Sequence, residues 1–178
     1  MRRTPRVLID RRAVLISSAA GLQTRTLIVD VEPLLSPWDA AAETLPAATA
    51  AFANESTARI PSLEYLIFAT NARIPFIKTP ETDGRFLFIS AARKPWRINY
   101  LRGSSTPITV IGDQVLTDGL LAHRLGGNFL HWRSGYTVPL WPRVQTIAGK
   151  PIEYILFSLQ NISAGIDIDS RTSNDGRG

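Results

Sequence analysis

The sequence predicts an α/β fold with a central parallel sheet, on the basis of three observations. Short apolar runs, each bounded by turn-forming or polar residues, are typical of strands buried on both faces of a parallel sheet. Segments of helical or loop composition separate these runs, which favours parallel strands joined by crossover connections. Three of the runs end in polar side chains, which should therefore converge at one edge of the sheet: Asp30 with Glu32, Thr70 with Asn71, and Asp113.

The N-terminal segment, residues 1–20, is predicted to be a basic leader. Five arginines precede a mildly apolar stretch over 13–22, which loosely resembles a signal peptide. Asp10 and two serines interrupt that pattern, so we expect loosely ordered residues up to 12, followed by a short helix or strand. The arginines leave attachment to a membrane surface open as a hypothesis.

The first half of the folded domain begins with the strand that leads into Asp30. Asp39 is a good helix N-cap, and Pro46 indicates that the alanine-rich helix after it either starts late or is kinked. Pro75 and Pro80 make a full helix hard to place between the second and third runs. The predicted elements are a strand over 26–31, a helix within 40–54, a strand over 63–69 and a strand over 85–90.

The second half is predicted to open with a short helix near Pro95. Pro107 stands at the start of the next strand, where proline is tolerated, and Gly126 closes the helix that follows. Residues 133–147 are interpreted as loop and residues 163–178 as a disordered tail, so the predicted domain spans 21–162. The predicted elements are a strand over 106–111, a helix over 114–125, a strand over 128–132 and a helix over 149–162.

Composition narrows the class of protein. The 178 residues are 44% hydrophobic and 20% charged, which is ordinary for a globular domain. The absence of cysteine excludes disulfides and thiolate zinc sites and fits a reducing compartment, so we expect a cytoplasmic protein. The net charge of +5 suits a polyanion, an anionic membrane surface or a phosphorylated substrate. No apolar run approaches the roughly 20 residues that a membrane span needs.

Two carboxylates follow the first strand. Asp30 and Glu32 are two positions apart, so in an extended segment their side chains point the same way. In phosphoryl transfer, one such carboxylate can attack phosphorus while the other protonates the leaving oxygen. Taken alone, the pair is more often two solvated acids at the mouth of a loop.

Further groups could complete a phosphate site. Asp113 and Asp118, joined by a carboxylate from across the site, would make an oxygen-rich pocket suited to Mg²⁺. Lys94 could neutralise a phosphate, and Thr70 and Asn71 could donate hydrogen bonds to a phosphoryl oxygen. Each of these groups also has a simpler interpretation, as a helix cap, a surface lysine or a turn cap.

The remaining motifs favour no other chemistry. His123 and His131 have no metal-ligating neighbour at short spacing, so both are interpreted as structural or exposed. The chain carries no glycine-rich phosphate loop, no G-x-S-x-G and no H-E-x-x-H motif. The arginines are scattered without an aromatic stripe, so nucleic-acid binding rests on charge alone and is a minor hypothesis.

The order of these motifs resembles the haloacid dehalogenase-like (HAD) phosphatase superfamily, subfamily IIIA, in its YqeG-like branch. That branch carries D-x-D-N-T-L-x-P-W-D, then (S/T)-N, then A-x-K-P, then V-G-D-Q-x-x-T-D. In the same order, this chain has DVEPLLSPWD from Asp30, the Thr70-Asn71 pair, ARKP over 92–95 and IGDQVLTD over 111–118. An isoleucine-proline-phenylalanine segment over 74–76 also matches, and the resemblance covers about residues 20 to 140.

The resemblance implies a Mg²⁺-dependent phosphohydrolase on a Rossmann-like three-layer sandwich. The stretches between the motifs are short, so a large cap domain is not expected. Asp30 would be the nucleophile that forms an aspartyl-phosphate, and Glu32 would stand where the family has its general acid/base. Lys94 would hold the nucleophile and the phosphate in place.

The same resemblance assigns the ligand-binding groups. Thr70, with Asn71 beside it, would bind the phosphoryl group. Mg²⁺ would be held by Asp113, by Asp30 and by the backbone carbonyl of Glu32, with Asp118 supporting the site. Characterised relatives include phosphatidylglycerophosphate phosphatases, so the expected substrate is a phosphorylated small molecule or a phospholipid headgroup.

The chain departs from the family pattern beside the nucleophile. Glu32 replaces an aspartate and is one methylene longer, which changes the reach of a general acid. Pro33 and Leu34 replace asparagine and threonine, which removes an amide, a hydroxyl and a backbone N–H. Two hypotheses follow: an active phosphatase, or a catalytically degenerate member that acts as a binding or regulatory module.

Overall fold

Seven parallel strands form one sheet, flanked by four helices, in this computed structural model. The predicted α/β class with a central parallel sheet is therefore confirmed. The structure describes residues 3–9, 11–35, 42–74, 85–97, 99–101, 103–133 and 140–159. In chain order the elements are β1 (Thr4–Ile9), α1 (Leu15–Gly21), β2 (Thr26–Asp30), α2 (Leu45–Arg59), β3 (Tyr65–Ala69), β4 (Phe86–Ile89), β5 (Ile108–Gly112), α3 (Leu120–Leu125), β6 (Asn128–Trp132), α4 (Leu140–Leu156) and β7 (Phe157–Leu159).

The order of the strands in the sheet is β4-β3-β2-β5-β6-β1-β7. The chain moves outward from β2 through β3 to β4, and then returns to pair β5 with the other side of β2. The strand order therefore reverses between β2 and β5. In open α/β sheets, ligands bind outside the carboxyl ends of the strands at such a switch point. Asp30 ends β2 there, and Asp113 follows the last residue of β5.

The sheet is buried on both faces, which makes three layers. Leu27 and Val29 of β2 pack in the cluster that includes α1 and α2. Ile28, between them, packs in the opposite cluster with α3 and the C-terminal end of α4. Because successive side chains of a strand point to opposite faces, burial of both faces requires the uninterrupted apolar run that the sequence shows.

The N-terminal residues form a strand of the sheet, so the prediction that residues up to 12 are loosely ordered is wrong for Thr4–Ile9. Strand β1 lies between β6 and β7 and pairs with both of them. The charge of Arg6 hides the strand pattern, yet this side chain is buried and contacts Glu153 and His131. The helix over 13–22, one of the two expected alternatives, is confirmed as α1.

The late start of the alanine-rich helix, one of the two expected alternatives, is confirmed, but two other predicted helices differ from the structure. Helix α2 begins late, at Leu45, with Pro46 in its first turn, where the missing N–H has no intrahelical partner to lose. Helix α4 already begins at Leu140, because Pro142 falls in its first turn and does not break it, and it ends at Leu156 ahead of β7. A short 3₁₀ turn, Asn99–Leu101, replaces the helix expected from Pro95.

The helix predicted over 114–125 has two parts. A π-helical turn, Val115–Gly119, precedes α3. Gly126 follows α3 with a φ of 65°, a left-handed conformation that favours glycine, so the predicted C-cap is confirmed.

Some predictions lie outside the described residues. These are the Asp39 cap, the Pro75 and Pro80 segment and the tail over 163–178. Among the residues described, no helix is both long and apolar enough to cross a membrane.

Candidate active site at the carboxyl edge of the sheet

Three carboxylates meet at the switch point between β2 and β5. One oxygen each of Asp30, Asp113 and Asp118 lies within 4.8 Å of the others. Asp30 is in place because β2 ends at it, and Asp113 because β5 ends one residue earlier. Asp118 comes from the π-helical turn and is fully buried, with 0% of its surface exposed.

Asp118 reaches the cluster only because residue 112 is a glycine. A Cβ on Gly112 would lie 2.3 Å from both Cγ and Oδ2 of Asp118. The π-helical turn bends back over this position, since the Asp118 backbone N–H donates to the Gln114 carbonyl at 2.9 Å. The Gln114 backbone N–H in turn donates to Asp118 Oδ2 at 3.4 Å. The acid is therefore held against the strand end that precedes it.

Lys94 bridges two of the three acids. Its Nζ donates to Oδ1 of Asp118 at 2.7 Å and lies 2.8 Å from Oδ1 of Asp30. Asn71 fixes the lysine backbone, because its Oδ1 accepts from the Lys94 N–H at 2.7 Å and its Nδ2 donates to the Lys94 carbonyl at 3.4 Å. Ala91 and Arg93, just before Lys94, have φ values of 49° and 55°, which are costly for residues with a Cβ. Such strain is typical of functional loops.

Thr70 and Glu32 form a second part of the site. The Thr70 hydroxyl donates to Glu32 Oε2 at 3.4 Å and accepts from the Ala72 N–H at 3.0 Å. Thr70 is placed by its backbone, whose N–H donates to the Ile89 carbonyl and whose carbonyl accepts from Ala92. Because Asp30 is in register with Ala69, Thr70 follows at the level of the acidic cluster.

Two of the three carboxylates, those of Asp30 and Asp113, hold protons more tightly than free ones because their pKa values are raised. Burial, with repulsion from Asp118, raises the pKa of Asp30 well above its ordinary 3.8, although Lys94 opposes the shift. Burial and the same repulsion raise the pKa of Asp113 to about 7. Among the described residues, Lys94 alone bridges these acids. If all three acids are ionised, its single positive charge does not balance their negative charge.

The pKa values of Glu32 and Lys94, the other two titratable groups of the site, are also raised. Burial raises the pKa of Glu32, and the hydrogen bond from Thr70 opposes that shift only in part. Burial alone would lower the pKa of Lys94, but the charges of Asp118 and Asp30 reverse this and hold it above its ordinary value. Lys94 therefore stays charged, whereas Glu32 retains its proton to a higher pH than an exposed glutamate.

The donor set fits a small divalent cation. Oδ1 of Asp113 is buried and has no hydrogen-bond partner among the described residues. Buried polar atoms are almost always partnered, so this oxygen is available as a ligand. Carboxylate and carbonyl oxygens are the ligands of Mg²⁺, and a cation would offset the repulsion that, together with burial, raises the pKa values of Asp30 and Asp113.

The structure brings most of the predicted site residues together. Asp30, Lys94, Asp113 and Asp118 form one cluster, and Asp118 is buried, which excludes its simpler interpretation as a surface residue of the helix. Lys94 is likewise only 5% exposed and not a surface lysine. Asn71 makes its described contacts to the Lys94 backbone.

Two residues beside the site have no signal in the sequence. His131 is buried, and its Nε2 lies 3.0 Å from the carbonyl oxygen of Asp113. Its Nδ1 accepts from Arg6, which comes from the segment expected to be a loose leader. His123, the other histidine, contacts the Thr4 hydroxyl and lies away from the cluster. The contact of Arg6 with His131 joins residues 125 positions apart, so no local pattern indicates it.

Comparison with family models, with curated proteins and with solved structures finds no match to this chain.

Proposed function

We propose that this protein is a HAD-like, capless, Mg²⁺-dependent phosphohydrolase. Its substrate would be a phosphorylated small molecule or a lipid headgroup ester. The observation that carries the proposal is the Asp30–Lys94–Asp118 bridge beside Asp113, at the strand-order switch point of a parallel sheet. A surface acid cluster would not contain a buried lysine shared by two carboxylates.

The first chemical step is a displacement at phosphorus. An oxygen of Asp30 attacks the phosphorus atom, the bond to the ester oxygen breaks, and an aspartyl-phosphate forms. The leaving oxygen takes the proton of Glu32, whose raised pKa suits a general acid. Lys94 holds the Asp30 carboxylate in position and offsets charge on the phosphoryl oxygens.

The second step restores the enzyme. A water molecule attacks the phosphorus of the aspartyl-phosphate and gives a proton to Glu32, which is now ionised. Inorganic phosphate leaves, and both carboxyl groups return to their starting states. Asp113, Asp30 and the Glu32 carbonyl would hold Mg²⁺, which when bound supplies charge stabilisation to the transferring phosphoryl group.

The test is phosphate release from para-nitrophenyl phosphate and from a panel of small and lipid phosphomonoesters. Activity should require Mg²⁺, stop on addition of EDTA and fall below detection in Asp30→Asn. Glu55→Gln, which changes an exposed acid on α2, is the matched control and should keep wild-type activity. Beryllium fluoride soaked in with Mg²⁺ should form an adduct on Asp30. No turnover across the panel, or a fluoride adduct elsewhere, would count against the proposal.

A second candidate function is a degenerate module that binds phosphate without hydrolysing it. The observation that favours it is the segment after Asp30, where Pro33 offers no N–H and Leu34 is buried in the core at 2% exposure. A threonine at position 34, as in the family pattern, would place a hydroxyl where this chain packs the apolar side chain of Leu34. The substitution at position 34 therefore makes this residue part of the hydrophobic core.

Restoring the family pattern separates the two candidates. Glu32→Asp with Pro33→Asn should leave the core intact, whereas adding Leu34→Thr costs stability, which thermal unfolding measures. If the native chain is inactive and the double or triple variant hydrolyses phosphomonoesters, the native protein is the degenerate module. If the native chain turns over and the variants are slower, Glu32 is its working acid.

A further inference from the structure

We propose that His131 is a positioning residue that orients the peptide between Asp113 and Gln114, and through it the carboxylate of Asp118. The inference rests on the proposed function for its consequence at the metal site. The contact that carries it is the 3.0 Å separation between His131 Nε2 and the Asp113 carbonyl oxygen.

The direction of this hydrogen bond is fixed by its surroundings. The Arg6 guanidinium has only donors, and its Nε donates to His131 Nδ1 at 3.1 Å. Nδ1 therefore carries the lone pair and Nε2 carries the hydrogen, which it donates to the carbonyl. Arg6 is itself held by Glu153 of α4, at 2.9 Å from Nη1 to Oε2. The ring also stacks on Phe129, with 5.2 Å between ring centroids.

One peptide group links the histidine to the acidic cluster. The carbonyl of Asp113 and the N–H of Gln114 belong to the same planar unit, and in a trans peptide they point in opposite directions. His131 binds the carbonyl side, and the N–H side donates to Asp118 Oδ2 at 3.4 Å. Rotation of this peptide would therefore remove a donor from Asp118 and shift the Asp113 side chain that follows β5.

The contact matters because nothing else described holds that carbonyl. Strand β5 ends at Gly112, and the helical hydrogen bonds of the π turn begin at the Gln114 carbonyl. The Asp113 peptide thus lies between two regular elements. Partners that orient metal ligands from outside typically contribute 10–100-fold to metal affinity. His131 would be such a partner of Asp113, because it binds the backbone carbonyl of this residue.

Two amide substitutions separate positioning from simple packing. In His131→Gln, the side-chain N–H₂ lies near the position of Nε2 and can still donate to the Asp113 carbonyl. In His131→Asn, the shorter side chain can accept from Arg6 in place of Nδ1 but cannot reach that carbonyl. Both variants fill the site with a polar amide and leave Arg6 an acceptor, so both should fold. His123→Gln, at the histidine away from the site, is the control.

The first measurement is amide hydrogen exchange in metal-free protein. We expect exchange at Gln114 and Asp118 to be about tenfold faster in His131→Asn than in wild type, with His131→Gln and His123→Gln within about twofold. The second is binding of Mn²⁺ alone, measured by electron paramagnetic resonance. The affinity for Mn²⁺ should fall by about 10-fold or more in His131→Asn only.

The outcomes distinguish the two proposals. Equal exchange at Gln114 and Asp118 in the Asn and Gln variants overturns the positioning role, whatever the activity. If wild type binds no metal and hydrolyses no phosphomonoester, the proposed function fails, while the exchange measurement still decides the role of His131.

Discussion

Lys94 donates to Asp118 over 2.7 Å in a place where the aspartate has no exposed surface. The same ammonium reaches the end of β2, 2.8 Å from Asp30. A residue proposed as nucleophile and a residue of the π turn therefore share one cation. This sharing fixes the distance between the end of β2 and the π turn and also makes the cluster sensitive to loss of the lysine.

Lys94→Met should abolish phosphate release and destabilise the fold. Removing one partner of a buried ion pair leaves uncompensated charge and typically costs about 3–5 kcal/mol. The loss should be smaller at about pH 5 than at about pH 8, because burial raises the pKa of Asp113 to about 7 and also raises the pKa of Asp30, so less negative charge surrounds the missing lysine at the lower pH. Denaturant unfolding at both pH values measures it. Lys150→Met, on the exposed side of α4, should change neither stability nor activity, and an equally stable Lys94→Met would show that the bridge is not formed.

Gly112→Ala should disable the site. The new Cβ would meet the Asp118 carboxyl group at 2.3 Å, so Asp118 must move away from Lys94. We expect Mg²⁺-dependent activity to fall by about 100-fold or more, as expected when catalytic groups are misplaced by about 1 Å. Gly21→Ala, at the end of α1 with no atom within 4 Å of its Cβ position, is the matched control. Retention of full activity in Gly112→Ala would contradict the placement of Asp118.

Asp113→Asn should stabilise the metal-free protein at high pH. Burial and Asp118 raise the pKa of Asp113 from 3.8 to about 7, so the folded state holds this proton more tightly than the unfolded state. Its ionisation therefore lowers stability progressively as pH rises from about 4, and the full cost is present above about 7. Asparagine keeps the shape of the group without its charge.

The difference in Tm between Asp113→Asn and wild type in EDTA should be near zero at about pH 4 and largest at about pH 8. Mg²⁺ should raise the Tm of wild type and leave that of the variant unchanged, since ligand binding stabilises only the state that binds it. A Tm difference that is constant with pH would exclude the raised pKa as its cause.

Glu32→Gln should separate the two chemical steps. Para-nitrophenolate leaves without a proton, so aspartyl-phosphate formation from para-nitrophenyl phosphate needs no general acid. In the proposed mechanism, hydrolysis of the aspartyl-phosphate uses Glu32 as base, so this second step should slow by about 10²–10⁴-fold. Rapid mixing should therefore show a burst of nitrophenolate close to one per enzyme, followed by slow release. Loss of the burst together with the steady rate would assign Glu32 to binding or to the first step.

The central strands, and the order in which the site residues follow them, could be predicted from local sequence. The strands β1 and β7 at one side of the sheet could not. β2, β3, β5 and β6 are short apolar runs because both of their faces are buried. β1 does not show such an apolar run, because it contains the buried Arg6, whose charge is paired by His131 and Glu153 far away in the sequence. β7 could not be predicted because its three residues follow α4 directly, without a turn between them.

The same distinction applies within the site. Asp30, Thr70, Lys94 and Asp113 stand next to the ends of apolar runs or in a short motif, so their convergence follows from parallel strands. The buried state of Asp118 depends on the π-helical turn and on the missing side chain at Gly112. Neither the turn nor the contact has a periodic pattern, so the sequence indicates the residue but not its environment.

The position of β1 between β6 and β7 has a consequence for how the chain reaches its final structure during synthesis. β1 leaves the ribosome before every other strand, yet Arg6 pairs in register with Phe129, and Thr4 with Phe157. The backbone of β1 can pair with its neighbouring strands only after nearly all the remaining elements have been translated. Loop closure over such a separation slows folding. The nascent chain should therefore first assemble β2 to β5 and complete its sheet only when the last strands emerge, so a ribosome-bound chain that stops before β6 would leave β1 open to proteolysis or chaperone binding.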